Sequence, residues 1–506
     1  MRKRLSGLLS FANPLYLFAA ILALAALAAI LIWTHPGFFR KGPENVVYEL
    51  APAGAVDLVI PDGVTELTAY AFQECTRLER VTIPDTVSRI PSGLFKEIGT
   101  LKEVVLPAYV SIESGAFRDC ASLERVTSRK PGRKTRRTDD AFVAEQAFVN
   151  CPALRVVEFP EGVTSIGKFR TFGIFSGCDA LESVVIPESV TSIGAYAFSV
   201  CSKLERVNLP AGLKSIGQAA FESCRALKEV TIPAHASIGY RAFSWCTSLE
   251  SVTLTKGGTS AAPTEDVSIG EEAFNMCRAL KHFEFSQGIR EIGKRAFFNC
   301  DALESVTVPD GVTTIGEMAF CQCTAMKTLR LPDSVTAIGA KAFLNCDVLE
   351  DLKLPAGPVD FGEDVFESCF ALRHVRLPAV SSGKLPAKLF YNCRGLESVE
   401  LPDGIRIIGD LALSCCSELK EVAIPESVTS IGASAFGGCS KLERVNLPAG
   451  LKSIGARAFA DCRALKEIAI PEGVKRIPDN AFLGSPCEES VLKLKASRRA
   501  AQFEEN

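Results

Sequence analysis

Nineteen cysteines are the most conspicuous reactive side chains in this chain of 506 residues, set against 4 histidines and 2 tryptophans. Thiols pair as disulfides, hold soft metals, or attack as thiolates. The spacing speaks against each use. The count is odd, so full pairing within the chain is impossible. Metal sites gather ligands at short CxxC-type spacings. The two close pairs here, Cys321 with Cys323 and Cys415 with Cys416, have no histidine or second pair nearby. Sixteen of the nineteen recur at one position of a long internal repeat, and only Cys321, Cys415 and Cys487 stand apart. A column of thiols about 5 Å apart allows a disulfide between neighbours, but stacked Cβ vectors run parallel rather than toward each other. The reading is a small buried hydrophobe that fits a narrow column and is kept inert by burial. No catalytic residue, metal site or cofactor is expected. The chain contains no GxxxxGK[ST], HExxH, GxSxG or EF-hand pattern, and no N-x-[ST] sequon.

Two groups of cations are candidates for ligand binding. The first is the run RKPGRKTRR at 129–137, with Arg129, Lys130, Arg133, Lys134, Arg136 and Arg137. Such a run suits anionic glycans or lipid headgroups, or is simply a solvated loop open to proteases. No aromatics interleave with it, which argues against single-stranded nucleic acid, and no specific nucleic-acid partner is expected. The second group is Arg330, Lys353 and Arg376, spaced 23 residues apart and thickened by Lys327, Arg373 and His374. If each 23 residues make one coil, the three cations stack on successive strands about 4.8 Å apart. They form either an anion- or carboxylate-binding patch or a solvated face offset by Glu350 and Asp351.

The elements that carry these side chains come from the repeat. Phenylalanine recurs from Phe72 to Phe482 in 18 units, with Leu413 in the one gap, usually 23 residues apart and usually followed three residues later by cysteine. The unit LERVNLPAGLKSIGQAAFESCRA at 204–226 shows the parts. "VNL" alternates inward and outward as a short strand, and Pro210 ends it. "AGLKSIG" is a turn and a second extended piece, and "AAFESC" reads as a helical or 3₁₀ turn bringing Phe221 and Cys224 inward. One coil cannot bury its apolar face alone, so the coils must stack. The phrase CSKLERVNLPAGLKSIG occurs unchanged at 201–217 and 439–455, as expected of an interchangeable coil. The intervals Cys120–Cys151 and Cys246–Cys277 are 31 residues long, so loops emerge there.

The stretches IPESVTSIGAYAFSVCSKLERVNLP (186–210) and LPDSVTAIGAKAFLNCDVLEDLKLP (331–355) resemble the BspA-type, or Treponema-type, leucine-rich repeat family, over about residues 58–487. The resemblance implies a cell-surface or secreted adhesin or ligand binder without catalytic residues. The expected fold is a leucine-rich repeat solenoid of about 18 coils of about 23 residues, rich in β-strand with short helical or 3₁₀ turns, and preceded by one transmembrane helix.

Ahead of the repeats, PLYLFAAILALAALAAILIW at 14–33 is long enough as a helix to cross about 30 Å of hydrocarbon. Arg2, Lys3 and Arg4 precede it and Arg40 and Lys41 follow, a bias that leaves residues 1–13 in the cytoplasm and the repeats outside. The alanines between 23 and 29 also allow a cleaved signal peptide and a secreted product. Free thiols would instead suit an intracellular scaffold. The expected organisation is an anchor at 14–33, a linker at 34–46, the solenoid at 47–487 and a cap or tail at 488–506. The net charge of −3 excludes a general polyanion binder. The expected function is a membrane-anchored surface protein that binds protein or glycan ligands, anionic ones included, through the solenoid face.

Overall fold

The computed structural model describes residues 38–41, 46–131, 141–167, 173–255 and 267–504. The repeats wind into a solenoid whose coils have three sides, each carrying hydrogen bonds between neighbouring coils. The first side is the V-x-L strand, as at Ser305–Thr307. The second is the short strand of the S-I-G stretch, as at Ser192–Ile193 and Ser215–Ile216. Strands of both sides pair in parallel with their counterparts in neighbouring coils: Ser192 faces Ser215 and Ile193 faces Ile216. Inward isoleucine and outward serine follow from the twofold period of a strand.

The third side is the turn around each phenylalanine, and here the structure departs from the sequence reading. Among the described residues no helix forms within the coils. The residues two before and two after the phenylalanine take left-handed backbone instead, for example Tyr196 (φ 56°) and Val200 (φ 64°), or Arg295 (φ 52°) and Asn299 (φ 57°). The reason lies in the hydrogen bonds. The N–H groups of Tyr196, Phe198 and Val200 all donate to the next coil, to the carbonyls of Gln218, Ala220 and Glu222 at 2.8, 2.7 and 2.7 Å. A helical turn would spend those donors within its own coil. The left-handed residues turn alternate peptides along the solenoid axis, so a third ladder forms where there is no strand.

Glycine sets how closely the coils approach. Apart from Gly167 (φ 81°), the glycines of the S-I-G stretches need no special φ, but a Cβ at Gly217, Gly293 or Gly339 would lie 2.7, 2.6 and 2.4 Å from backbone of the preceding coil. The adjoining S-I-G side pairs in sheets of twelve and four strands, with its first strand, Glu66–Leu67, joined to the N-terminal pair instead, whereas the V-x-L side is divided into sheets of seven, three, three, two and two.

The interior is a file of stacked rings. From Phe95 to Phe390 successive phenylalanine centroids lie 5.0–5.6 Å apart, with planes within 14° of parallel. The stack is interrupted at Leu413 and resumes at Phe436. Seventeen coils carry a strand on the S-I-G side, from Glu66–Leu67 to Ser453–Ile454. The eighteenth unit, around Phe482, forms none and is closed by helix α1, Glu488–Glu504. The Gly484 N–H donates to Glu488 Oε2 at 2.9 Å. The Arg498 guanidinium donates to the carbonyls of Ile470 and Val474 at 2.9 and 3.0 Å, which holds α1 over groups that no further coil can satisfy.

At the other end Phe38–Lys41, within the stretch read as a linker, pairs antiparallel with Val46–Leu50, and that strand starts the parallel stack. The expected membrane span at 14–33 lies outside the described residues. Among those described, no helix is long and apolar enough to cross a membrane.

Candidate functional site

The cysteine column is buried as expected, but it is not merely apolar. Most of its thiols reach back to the phenylalanine carbonyl of the preceding coil, as Cys224 to Phe198 at 3.1 Å, Cys300 to Phe274 at 3.3 Å and Cys393 to Phe366 at 3.0 Å, while Cys75 reaches Pro52 O and Cys439 reaches Leu413 O. In the last coil Ser485 stands at the cysteine position, and its Oγ makes the same bond to Phe459 O at 2.7 Å. Except at Ile98, a small residue with a donor recurs at this position, and the serine there was the signal in the sequence. All 19 cysteines are free, and only Cys415 is not buried. Burial pushes the Cys246 thiol up to about 12, which keeps it protonated and unreactive. Among the described residues no group of three metal-ligating side chains converges.

The cationic column is placed as the period requires, and it is compensated. Arg330 lies directly opposite Lys353 on the paired strands Thr328–Arg330 and Asp351–Lys353. The expected third step fails: the sheet is interrupted before His374–Arg376, so Arg376 is not stacked on Lys353 in one sheet. Like charges directly opposed destabilise a sheet, and the break falls where a third cation would have joined. Arg376 pairs instead with Glu400 at 3.4 Å, Arg373 with Glu397 at 2.8 Å, and Arg330 with Asp351. His374 Nδ1 shares a hydrogen bond with Ser398 Oγ at 2.8 Å. In the basic run, Arg129 is half-buried and Lys130 exposed. Arg133, Lys134, Arg136 and Arg137 lie outside the described residues.

Lys327 and Arg373 belong to a longer pattern that spacing alone did not reveal. The residue after the inward leucine (methionine once) of each coil alternates in charge along the stack: Glu79, Lys102, Glu124, Arg155 and Glu182, then Glu205, Lys228, Glu250, Lys281, Glu304, Lys327, Glu350, Arg373, Glu397, Lys420, Glu443 and Lys466. Backbone bonds such as Lys102 N to Glu79 O (2.7 Å) and Glu250 N to Lys228 O (2.7 Å) hold the column in register. Ion pairs cross it at Lys102–Glu79 and Lys281–Glu250, both 3.1 Å. Each exposed pair is worth only about 0–1 kcal/mol, but stacking a coil on its second neighbour instead of its first would set like charges against each other at that junction. The alternation slips once, between Glu182 and Glu205. That is the edge of the block 186–233 that recurs at 424–471.

The left-handed edge of the turns carries a second ionic chain, more buried than the first. Arg241 Nε lies 2.6 Å from Glu272, Arg295 reaches the same carboxylate at 3.9 Å, and Arg241 also approaches Glu222 at 4.0 Å. The Glu272 residue is only 6 % exposed, so two guanidiniums are needed to hold its charge. Burial raises the Glu222 carboxyl, against the pull of Arg241. Farther along, Lys341 and Lys388 flank buried Asp364 at 3.9 and 3.5 Å. Burial and the neighbouring Asp364 raise Glu367 above the usual carboxylate range. These side chains can hold polar ligands on the turn edge. None of them was singled out by sequence, because their columns become visible only once the turn backbone is known.

A solenoid with one inward phenylalanine and cysteine per coil, parallel short strands on two sides and no converging metal ligands among its described residues defines a leucine-rich repeat protein. The model of the BspA type leucine rich repeat region matches residues 55–142, 141–263, 267–385 and 360–489. The chain belongs to that family. No curated protein matches the sequence. Among solved structures it is similar to a leucine-rich repeat protein from Bacteroides ovatus, with 24% identity over 87% of this chain and 94% of that one and a TM-score of 0.44. It is also similar to a leucine rich cell surface protein from Faecalibacterium prausnitzii (24% identity, 83% and 93% covered, TM-score 0.35). A third is the pneumococcal vaccine antigen PcpA (18% identity, 79% and 94% covered, TM-score 0.38).

Proposed function

We propose that the protein is a non-catalytic binding protein that carries its solenoid outside the cell on a membrane anchor at 14–33. It holds a protein or glycan ligand on outward columns of the coils. One observation carries the reading: the inward phenylalanine, cysteine and leucine positions are nearly the same in every coil, while the outward positions change from coil to coil. A fold that repeats its interior and varies its exterior is a stiff scaffold for a broad contact surface. Family membership supports a binding role of this kind.

The test is protease treatment of intact producing cells, with an antibody to the repeats and sequencing of the mature N-terminus. The expected result is loss of the repeats from intact cells and an N-terminus ahead of the anchor at 14–33. A mature N-terminus among the alanines of 23–29 would replace the anchor with secretion. Repeats protected until lysis would refute surface display and favour an intracellular scaffold.

A further inference from the structure

The second left-handed position of the turn mostly holds residues suited to that backbone, such as Asn150, Gly177, Asn299, Asn345 and Asn392. Glu97, Gln322, Ser368 and Cys415 depart from this usage singly, and four consecutive coils depart from it together. Val200, Ser223, Trp245 and Met276 occupy the position there with φ of 64°, 61°, 63° and 63°. A β-branched or aromatic residue is strained there. Burial does not offset the strain: Val200 is 51% and Trp245 39% exposed. The opposite edge of the same turns carries Tyr196 and Tyr240. The Tyr196 hydroxyl accepts from Gln218 Nε2 at 2.6 Å, and the Arg241 guanidinium lies 5.1 Å from the centre of the Tyr240 ring.

The first left-handed position, held by Tyr196 in its coil, is held by Arg241, Glu272 and Arg295 in later ones, and these join Glu222 in an ionic floor of two carboxylates against two guanidiniums, formally neutral. On the same floor Ser244 Oγ and Asn275 Oδ1 are buried without a hydrogen-bond partner. Such atoms are costly and mark a place that a ligand or solvent group completes. Strained exposed rings, a charge-balanced polar floor and orphaned polar atoms thus occur together on one stretch of edge.

We propose that this edge is a binding platform for an uncharged, pyranose-containing glycan. The proposal rests on the binding-protein reading and names its ligand class. A sugar ring offers an apolar C–H face to an aromatic ring, and its hydroxyls reach amides, hydroxyls and charged groups at the rim. The floor is electrically balanced, so it favours neither a polyanion nor a polycation. Coil pitch adds a geometric match. The phenylalanine rings from Phe198 to Phe297 lie 5.1–5.3 Å apart, close to the advance per sugar of an extended β-linked chain, so successive sugars meet successive coils.

The test is calorimetric titration of the full chain with cellohexaose, laminarihexaose and chitohexaose, with a heparin oligosaccharide as the charged comparison. At least one neutral hexasaccharide is expected to bind, and to bind more tightly than its disaccharide. Trp245→Asn is expected to weaken it by about tenfold or more. Asparagine suits the left-handed backbone, so this variant keeps its fold. Phe370→Ser, an exposed aromatic on a distant coil, should leave affinity unchanged. No binding by any neutral sugar overturns the proposal, as does tighter binding of heparin. Unchanged affinity in both Trp245→Asn and Tyr240→Ala overturns the assigned site. A protein ligand lost on Trp245→Asn, with no sugar bound, overturns the glycan assignment and leaves the broader binding reading standing.

Discussion

Placing a methyl group at Gly339 brings its Cβ to 2.4 Å from Glu317 N, 2.7 Å from Gly316 C and 2.8 Å from Glu317 Cα. All three are backbone atoms of the coil below, so no side chain can swing away. Ordinary contact at about 3.5 Å requires the coils to part locally by about 1 Å. Two ladder bonds cross that gap, Gly339 N to Ile315 O at 2.8 Å and Met318 N to Ala340 O at 2.9 Å. Lengthened by that much, both leave hydrogen-bonding range. Two lost bonds at about 1 kcal/mol each, plus overpacking strain of about 1–3 kcal/mol, predict a loss of about 3–5 kcal/mol for Gly339→Ala. Gly357→Ala is the control. Its Cβ would meet nothing nearer than Asp333 O at 3.9 Å. There alanine restricts the unfolded chain and should stabilise by about 0.4–1 kcal/mol. Urea unfolding followed by circular dichroism measures both. If the two variants fall within about 0.5 kcal/mol of each other, close approach at the glycine column is not what requires glycine, and the absence of a Cβ there does not set the coil spacing.

Two further outcomes follow from burial. A thiol reagent should label Cys415 in the native protein and all 19 cysteines only after denaturation; rapid native labelling at several positions would contradict the closed column. Glu367 has a raised folded-state pKa, so the native state keeps its proton over a range where the unfolded chain has lost it. Stability should therefore fall as pH rises from about 4.3, the unfolded value, through the higher native one. Glu367→Gln removes that slope, and urea midpoints across this window check it; parallel curves for the two proteins would refute the assignment.

Much of the coil is legible from sequence because it rests on local rules. Proline after the V-x-L strand, inward leucine and isoleucine, and a phenylalanine with cysteine three residues on all repeat at 23-residue spacing, and they land where a stacked coil needs them. The turn around phenylalanine is not legible in this way. "AAFESC" has residues that propagate a helix, and nothing local shows that its N–H groups are claimed by the next coil. The candidate cations show the same division. Their spacing places Arg330 opposite Lys353, but the carboxylates that meet them and the sheet break before Arg376 depend on the pairing of whole strands.

By itself, then, the sequence determined the repeat, its length and its inward residues, because these follow from the chemistry of one coil. The tertiary structure decided what depends on the gap between coils: glycine at a close approach, a thiol or hydroxyl donor for most phenylalanine carbonyls, the alternating charges, and the strained aromatic edge beside a neutral floor. Those relations join residues about 23 apart, and only a neighbouring coil a few ångströms away turns them into contacts.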